Sequence, residues 1–181
     1  MKSDSGLLRS AFARSPFLAA VVGLVGAIGV SLWSGALAAG QPTSGALSAA
    51  LRTHLQTERF DVVTSVRGLP LGVRDLMQKM FGAASLDIAE PRGEFQATDV
   101  VSKPGLPIRR MIAAGCSNDF HCLLYYERGG IAHTRHVMLF RWTPDATRFE
   151  WGGTAPGGLA TIDEVRKAIL SGTIKDQSGS W

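Results

Sequence analysis

The stretch CSNDFHC, residues 116 to 122, holds the only two cysteines of the chain, with Asp119, Phe120 and His121 between them. Three kinds of chemistry use such residues. A structural zinc site takes four thiolate or imidazole ligands in closely spaced pairs. Cys116, His121, Cys122 and either His133 or His136 could be recruited, but the five residues between the cysteines exceed the usual knuckle spacing. A redox-active pair uses C-x-x-C, in which the near second thiol resolves the mixed disulfide and lowers the pKa of the first, and that spacing is absent. The third chemistry is a disulfide. Cys116 and Cys122 would close a seven-residue loop, worth about 2 kcal/mol in the chain-entropy description. The spacing favours the disulfide, and no metal, cofactor or catalytic residue is assigned.

The other reactive side chains give weaker signals. His133 and His136 are three apart in a strand-like run. Side chains alternate along a strand, so the two point to opposite faces and do not share a metal. His54 lies in a helical stretch with no evident partner, and nothing in the spacing of Asp119 and Glu127 singles them out for acid/base work. The chain has no G-x-S-x-G elbow, no H-E-x-x-H helix and no glycine-rich phosphate loop following a strand, which removes the common signatures of hydrolases, zinc proteases and nucleotide enzymes. Tyr125, Tyr126, Phe140, Trp142, Phe149 and Trp151 cluster on strand-like runs, as sheet cores and cross-strand pairs do.

Charge and hydropathy place these residues outside the cytoplasm. Lys2, Arg9 and Arg14 oppose only Asp4, and residues 15 to 51 carry no charge. Within that span, residues 17 to 39 are apolar and end near Ala36-Leu37-Ala38. A basic start, an apolar run and a small-residue close describe a secretory signal over residues 1–38. The alternative is an uncleaved anchor, since a membrane span needs about 20 apolar residues. Either way the basic flank leaves the remainder on the far side of the membrane, periplasmic or secreted, or tethered there by residues 17–39. The net charge is +4, and the part after the leader carries 16 Lys and Arg against 14 Asp and Glu. That gives no basic stripe for nucleic acid. In an exported domain two cysteines usually pair.

The elements that must position the loop follow from period and punctuation. Residues 39–45 read as a linker, 46–174 as the exported domain and 175–181 as a flexible tail. Helical spacing marks residues 46–56 with Ser44 as cap, and 71–81 after Pro70. Thr161 and Glu164 form a capping box for a third helix, ended by Gly172. Strand-like runs occupy 85–89, 93–101, 107–115, 123–127, 131–142 and 147–151. Gly129-Gly130 marks a hairpin, in which a two-residue turn sets Tyr126 opposite His133 and a three-residue turn sets Tyr125 there. The sum is an α+β domain: an antiparallel sheet of about five strands flanked by two or three helices, with one short disulfide-closed loop. The loop is either a staple or a surface that presents Asp119, Phe120 and His121 to a partner.

The order of pieces resembles the Ivy-type lysozyme inhibitors. The comparable segments are Gly68-Leu69-Pro70, RRMIAAGCSNDFHC, LLYYERGGIAHTRHVMLF and AILSGTI, within residues 46 to 174. In that family a short disulfide-closed loop protrudes and its histidine enters the lysozyme cleft. The resemblance therefore implies a non-enzymatic exported protein whose partner is a lysozyme-like hydrolase, with Asp119, Phe120 and His121 as contacts. The family loop has four residues between its cysteines, with His beside Asp; here there are five, in the order Asp119-Phe120-His121. A second reading is an envelope domain, tethered by residues 17–39, with a structural or small-ligand-binding role.

Overall fold

Runs of large apolar residues on both sides of the strands require cover on both faces of the sheet. The computed structural model describes residues 46–101, 103–177 and 181. The leader and linker expected over residues 1–45 lie outside them. Among the described residues no helix is long and apolar enough to cross a membrane. The element order is α1 (Ala49–Thr57), β1 (Phe60–Val62), α2 (Leu71–Phe81), β2 (Arg109–Ser117), β3 (His121–Arg128), β4 (Thr134–Trp142), β5 (Thr147–Thr154), α3 (Ile162–Leu170) and β6 (Lys175–Asp176). The six strands form one antiparallel sheet in sequence order. This is the α+β architecture expected, with six strands, of which the edge strands β1 and β6 lie outside the runs read as strands.

Alternation along β3 and β4 divides the core into two layers. Leu124, Tyr126, Met138 and Phe140 face Val73 and Met77 of α2. Leu123, Tyr125, Val137 and Leu139 face Leu55 of α1 and Val165 and Ile169 of α3. The helix boundaries follow local chemistry. Gly82 ends α2 in the left-handed conformation at φ 63°, which glycine adopts without the Cβ penalty. Thr161 and Glu164 make the reciprocal capping box at the start of α3. Ser48, rather than Ser44, caps α1.

Helices α1 and α3 tie each other's ends. The last carbonyls of a helix have no partner within it. Arg166 of α3 donates to Leu55 O through Nε and Nη2, at 3.0 and 2.6 Å, and to Glu58 O at 2.9 Å. Arg52 of α1 donates to Leu170 O at 2.8 Å. This exchange sets α1 at a fixed depth over the sheet, and with it His54 and Glu58.

Four expectations are corrected. Residues 85–89 and 93–101 are not strands. Ala89 makes one isolated bridge to Arg110, Gln96 N donates to Pro107 O at 2.8 Å, and side chains add to these few backbone bonds: Asp87 accepts from Ile108 N at 2.9 Å and pairs with Arg109 at 2.6 Å. The β3–β4 connection is not a tight turn. It runs from 129 to 133 and sets Tyr126 opposite His136. Gly129 is there for close approach, since a Cβ would lie 1.8 Å from Gln96 O. His133 therefore sits in the connection, not on the strand. Finally, Lys175, Asp176 and Trp181, expected in a flexible tail, are part of the fold. Lys175 and Asp176 pair with β5, and Asp176 accepts from the Trp151 indole at 2.6 Å. Trp181 is 7 % exposed, packs on Phe149 with ring centroids 5.0 Å apart, and accepts at its carbonyl from Arg109 at 2.6 Å.

The burial of Trp181 generates a prediction. Trp181→Ala removes a large buried ring from the α2-side core, and such truncations cost about 3 kcal/mol. Denaturant unfolding should show a lower midpoint at an unchanged slope. An unchanged midpoint would make the last residue a loose end after all.

Candidate functional site

The loop of interest is a turn between two paired strands. Cys116 lies opposite Cys122 in the β2–β3 ladder, with their Cα atoms 4.1 Å apart, and the two form a disulfide. Only residues 118 to 120 stand between the strands. The turn is closed by Phe120 N donating to Ser117 O at 3.2 Å and by Trp142 N donating to Phe120 O at 2.8 Å. Phe120 takes φ 68°, a left-handed conformation that is costly for a bulky residue and persists only where the surroundings impose it. Here the disulfide behind the turn and the Trp142 hydrogen bond impose it. The Phe120 ring is 40 % exposed and meets the Trp142 ring edge-on at 5.6 Å. Asn118 and Asp119 are exposed beside it.

The three residues expected to act together are separated. Asp119 and Phe120 stay on the surface, whereas His121 is 2 % exposed. The reason is strand alternation. His121 is the first residue of β3 and Cys122 the second, so they leave the sheet on opposite faces. Cys122 enters the core under α2, and His121 enters the layer under α1. In this placement His121 lies inside against Glu58 and not on the surface of the loop, where a partner-contacting residue was expected.

Beneath the turn, His121 meets Glu58, which follows the last residue of α1 and is 6 % exposed. His121 Nδ1 lies 2.9 Å from both Glu58 carboxylate oxygens. His54 Nδ1, one helical turn earlier, lies 2.6 Å from Glu58 Oε1. Ser117 donates from Oγ to Glu58 Oε2 at 2.5 Å and accepts from His121 N at 3.1 Å. The two imidazole rings are 4.5 Å apart. His54, His121 and Glu58 offer ligand atoms that all lie within 4.8 Å of one another. Sequence reasoning left His54 without a partner. Its signal was the i,i+4 spacing to Glu58, which puts both on one helix face; the strand that brings His121 to them carried none.

His133 and His136 do not come together either. His133 bonds Glu127 Oε2 through Nε2 at 2.8 Å, and Arg110 holds the other oxygen at 2.6 Å. Glu127 is thereby engaged near the far end of β3 from Asp119. His136 is buried and stacks on Tyr126 at 5.4 Å. Its Nε2 accepts from Thr134 Oγ1 at 2.8 Å, and its Nδ1 donates to Gln177 at 3.2 Å.

Two concavities open beside these groups. A cavity of about 950 Å³ is lined by Arg92, Arg110, Tyr125, Glu127, Arg135 and Leu159, among others. Among the described residues Arg92 and Arg135 form no ion pair, and Arg110 pairs with Glu127. A smaller one of about 470 Å³ lies beside the disulfide, between Leu71, Cys116, Trp142 and Pro144. No family model, curated protein or solved structure matches the chain.

The environment of His136 generates a pH prediction. Burial pushes its pKa down from 6.5 to about 4, aided by the charges of Arg128 and Arg109 and opposed by the Gln177 hydrogen bond. In the folded chain His136 is neutral where the unfolded chain would already bind a proton. Between pH 6.5 and about 4 the unfolded state therefore holds more protons, and stability falls as pH falls. The effect is complete below the folded value, absent well above the unfolded one, and amounts to roughly 3 kcal/mol. His136→Asn should flatten the acid limb of a stability-against-pH curve. An equally steep limb in the variant would assign the acid sensitivity to other groups.

Proposed function

We propose that this is an exported, non-enzymatic binding protein, acting through the 118–120 turn on a lysozyme-like cell-wall hydrolase. One observation carries the reading. An exposed aromatic ring is held at φ 68° on a turn closed by a disulfide, so its presentation is set before any partner arrives. A pre-ordered aromatic anchor loses little conformational entropy on binding, and aromatic side chains are the commonest anchors of interfaces. Exposed Leu71 lines the concavity beside the disulfide together with Trp142. Phe120, Trp142 and Leu71 thus offer an apolar contact, with Asp119 supplying an acidic group at its edge.

The resemblance to Ivy-type inhibitors supports the same partner class with a changed contact set. There the loop histidine makes the contact. Here Phe120 and Asp119 take that place, and His121 acts from inside as the group that fixes the turn. The part after the leader is slightly basic, as lysozymes are, so association would depend on the apolar contact more than on electrostatic steering. A second reading has one observation in its favour. Arg92 and Arg135, which line the larger cavity and form no ion pair among the described residues, suit a small anionic ligand, because such sites combine apolar walls with a few fixed charges.

The test is titration of the purified chain against a panel of lysozymes, following both heat and hydrolysis. Wild type should bind and slow at least one of them. Phe120→Ala should weaken binding by about 2 kcal/mol, roughly thirtyfold, as loss of an interface anchor does, with no change in unfolding midpoint. His121→Ala should lower the midpoint as well. Failure of wild type to bind any of the panel at micromolar concentration would end the inhibitor reading. Binding that is indifferent to Phe120→Ala and Asp119→Ala would move the contact surface off the turn.

A further inference from the structure

The group beneath the turn has the composition of a metal site. Glu58 is a buried carboxylate whose only cationic partners among the described residues are imidazoles, His54 and His121. An imidazole is a cation only when protonated. Two of them aim Nδ1 at the same carboxylate, at 2.6 and 2.9 Å, and Ser117 Oγ holds its second oxygen. No lysine or arginine among the described residues pairs with that carboxylate. The Arg166 guanidinium, which reaches the backbone of Glu58, is spent on the carbonyls of Leu55 and Glu58. A buried negative charge without a fixed positive one is unfavourable, and a divalent cation would supply that charge at any pH at which the imidazoles are neutral.

We propose that His54, Glu58 and His121 bind a zinc ion. Two imidazoles and one carboxylate are a donor set that zinc takes in three-ligand sites, where the fourth position is left to water. The open side is present. His54 is 41 % exposed at its side chain, while Glu58 and His121 are 3 % and 2 %, so an ion would enter past His54. The donor atoms in contact are closer than the edge of about 3.3 Å that zinc bonds of about 2.0 Å imply. Binding would replace the hydrogen bonds that now join both Nδ1 atoms to Glu58, with the half-exposed His54 ring turning outward and the Glu58 carboxylate shifting slightly off His121 to open both contacts. Ser117 then acts on the carboxylate that ligates, the position from which hydrogen-bonding neighbours orient metal ligands. Two of the ligands come from α1 and its end, and the third from a strand held by the disulfide. The ion would therefore bolt α1 to the hairpin that carries Phe120.

The experiment uses untagged chain freed of metal by a chelator and titrated with zinc chloride against a chromophoric competitor. The expected result is one zinc per chain, protons released on binding, and an unfolding temperature that rises with free zinc. His54→Ala should lower the zinc affinity at least about tenfold while the chain still folds, because that ring is partly exposed. Glu58→Gln should do the same. His133→Ala, remote from the group, should leave affinity unchanged. Absence of stoichiometric zinc below about 100 micromolar, by the ordinary strength of such sites, would overturn the proposal. So would affinity that survives His54→Ala, or that is lost with His133→Ala instead.

Discussion

The burial of one carboxylate organises this end of the molecule. Glu58 cannot leave water without partners for both oxygens, since an unpaired buried charge costs several kcal/mol. Its partners come from three places in the chain. His54 comes from the same helix, Ser117 from the end of β2, and His121 from the start of β3. Meeting that requirement brings α1 down over the hairpin. It also lets β1, which begins two residues after Glu58, pair with the end of β2 through Phe60 opposite Ser117. Arg166 completes the arrangement from α3 by satisfying the carbonyls that α1 leaves open.

What the turn presents follows from that constraint. His121 is held inward, so the strand pair must close over residues 118 to 120 alone. The disulfide and the Trp142 hydrogen bond then leave Phe120 little choice of conformation. The same alternation that sends His121 toward α1 sends Cys122 toward α2. Interior and surface functions are thus divided between adjacent residues. His121 and Glu58 give rigidity; Asp119 and Phe120 give contact.

Local signals in the sequence translated well. The α2 boundaries, the capping box of α3 and the pairing of the only two cysteines were legible because each depends on residues within one or two turns of chain. Features that depend on distant segments were not. Gly129-Gly130 read as a tight turn, but Gly129 is needed where Gln96 crosses it. Residues 85–101 alternate like a strand and yet are fastened through Asp87, whose carboxylate holds Ile108 N and Arg109, bonds that no periodicity encodes. The tail read as loose because only the folded sheet offers Trp181 its pocket beside Phe149 and His136. Two further site features were within reach of the sequence: the i,i+4 spacing of His54 and Glu58, and the side of the sheet that His121 takes relative to Cys122. The adjacency of His121 to a disulfide cysteine on a strand already puts it on the opposite face.

The claim on which the rest depends is that His121 lies inside, against Glu58. Chemical labelling of histidines by diethyl pyrocarbonate, read by mass spectrometry residue by residue, tests it directly because the reagent needs an accessible ring nitrogen. His133 and His54, with side chains 39 % and 41 % exposed, should be modified in the native metal-free chain. His121 and His136, both buried, should react only after unfolding. Modification of His121 at the rate of His133 would contradict the account and return the histidine to the surface of the loop.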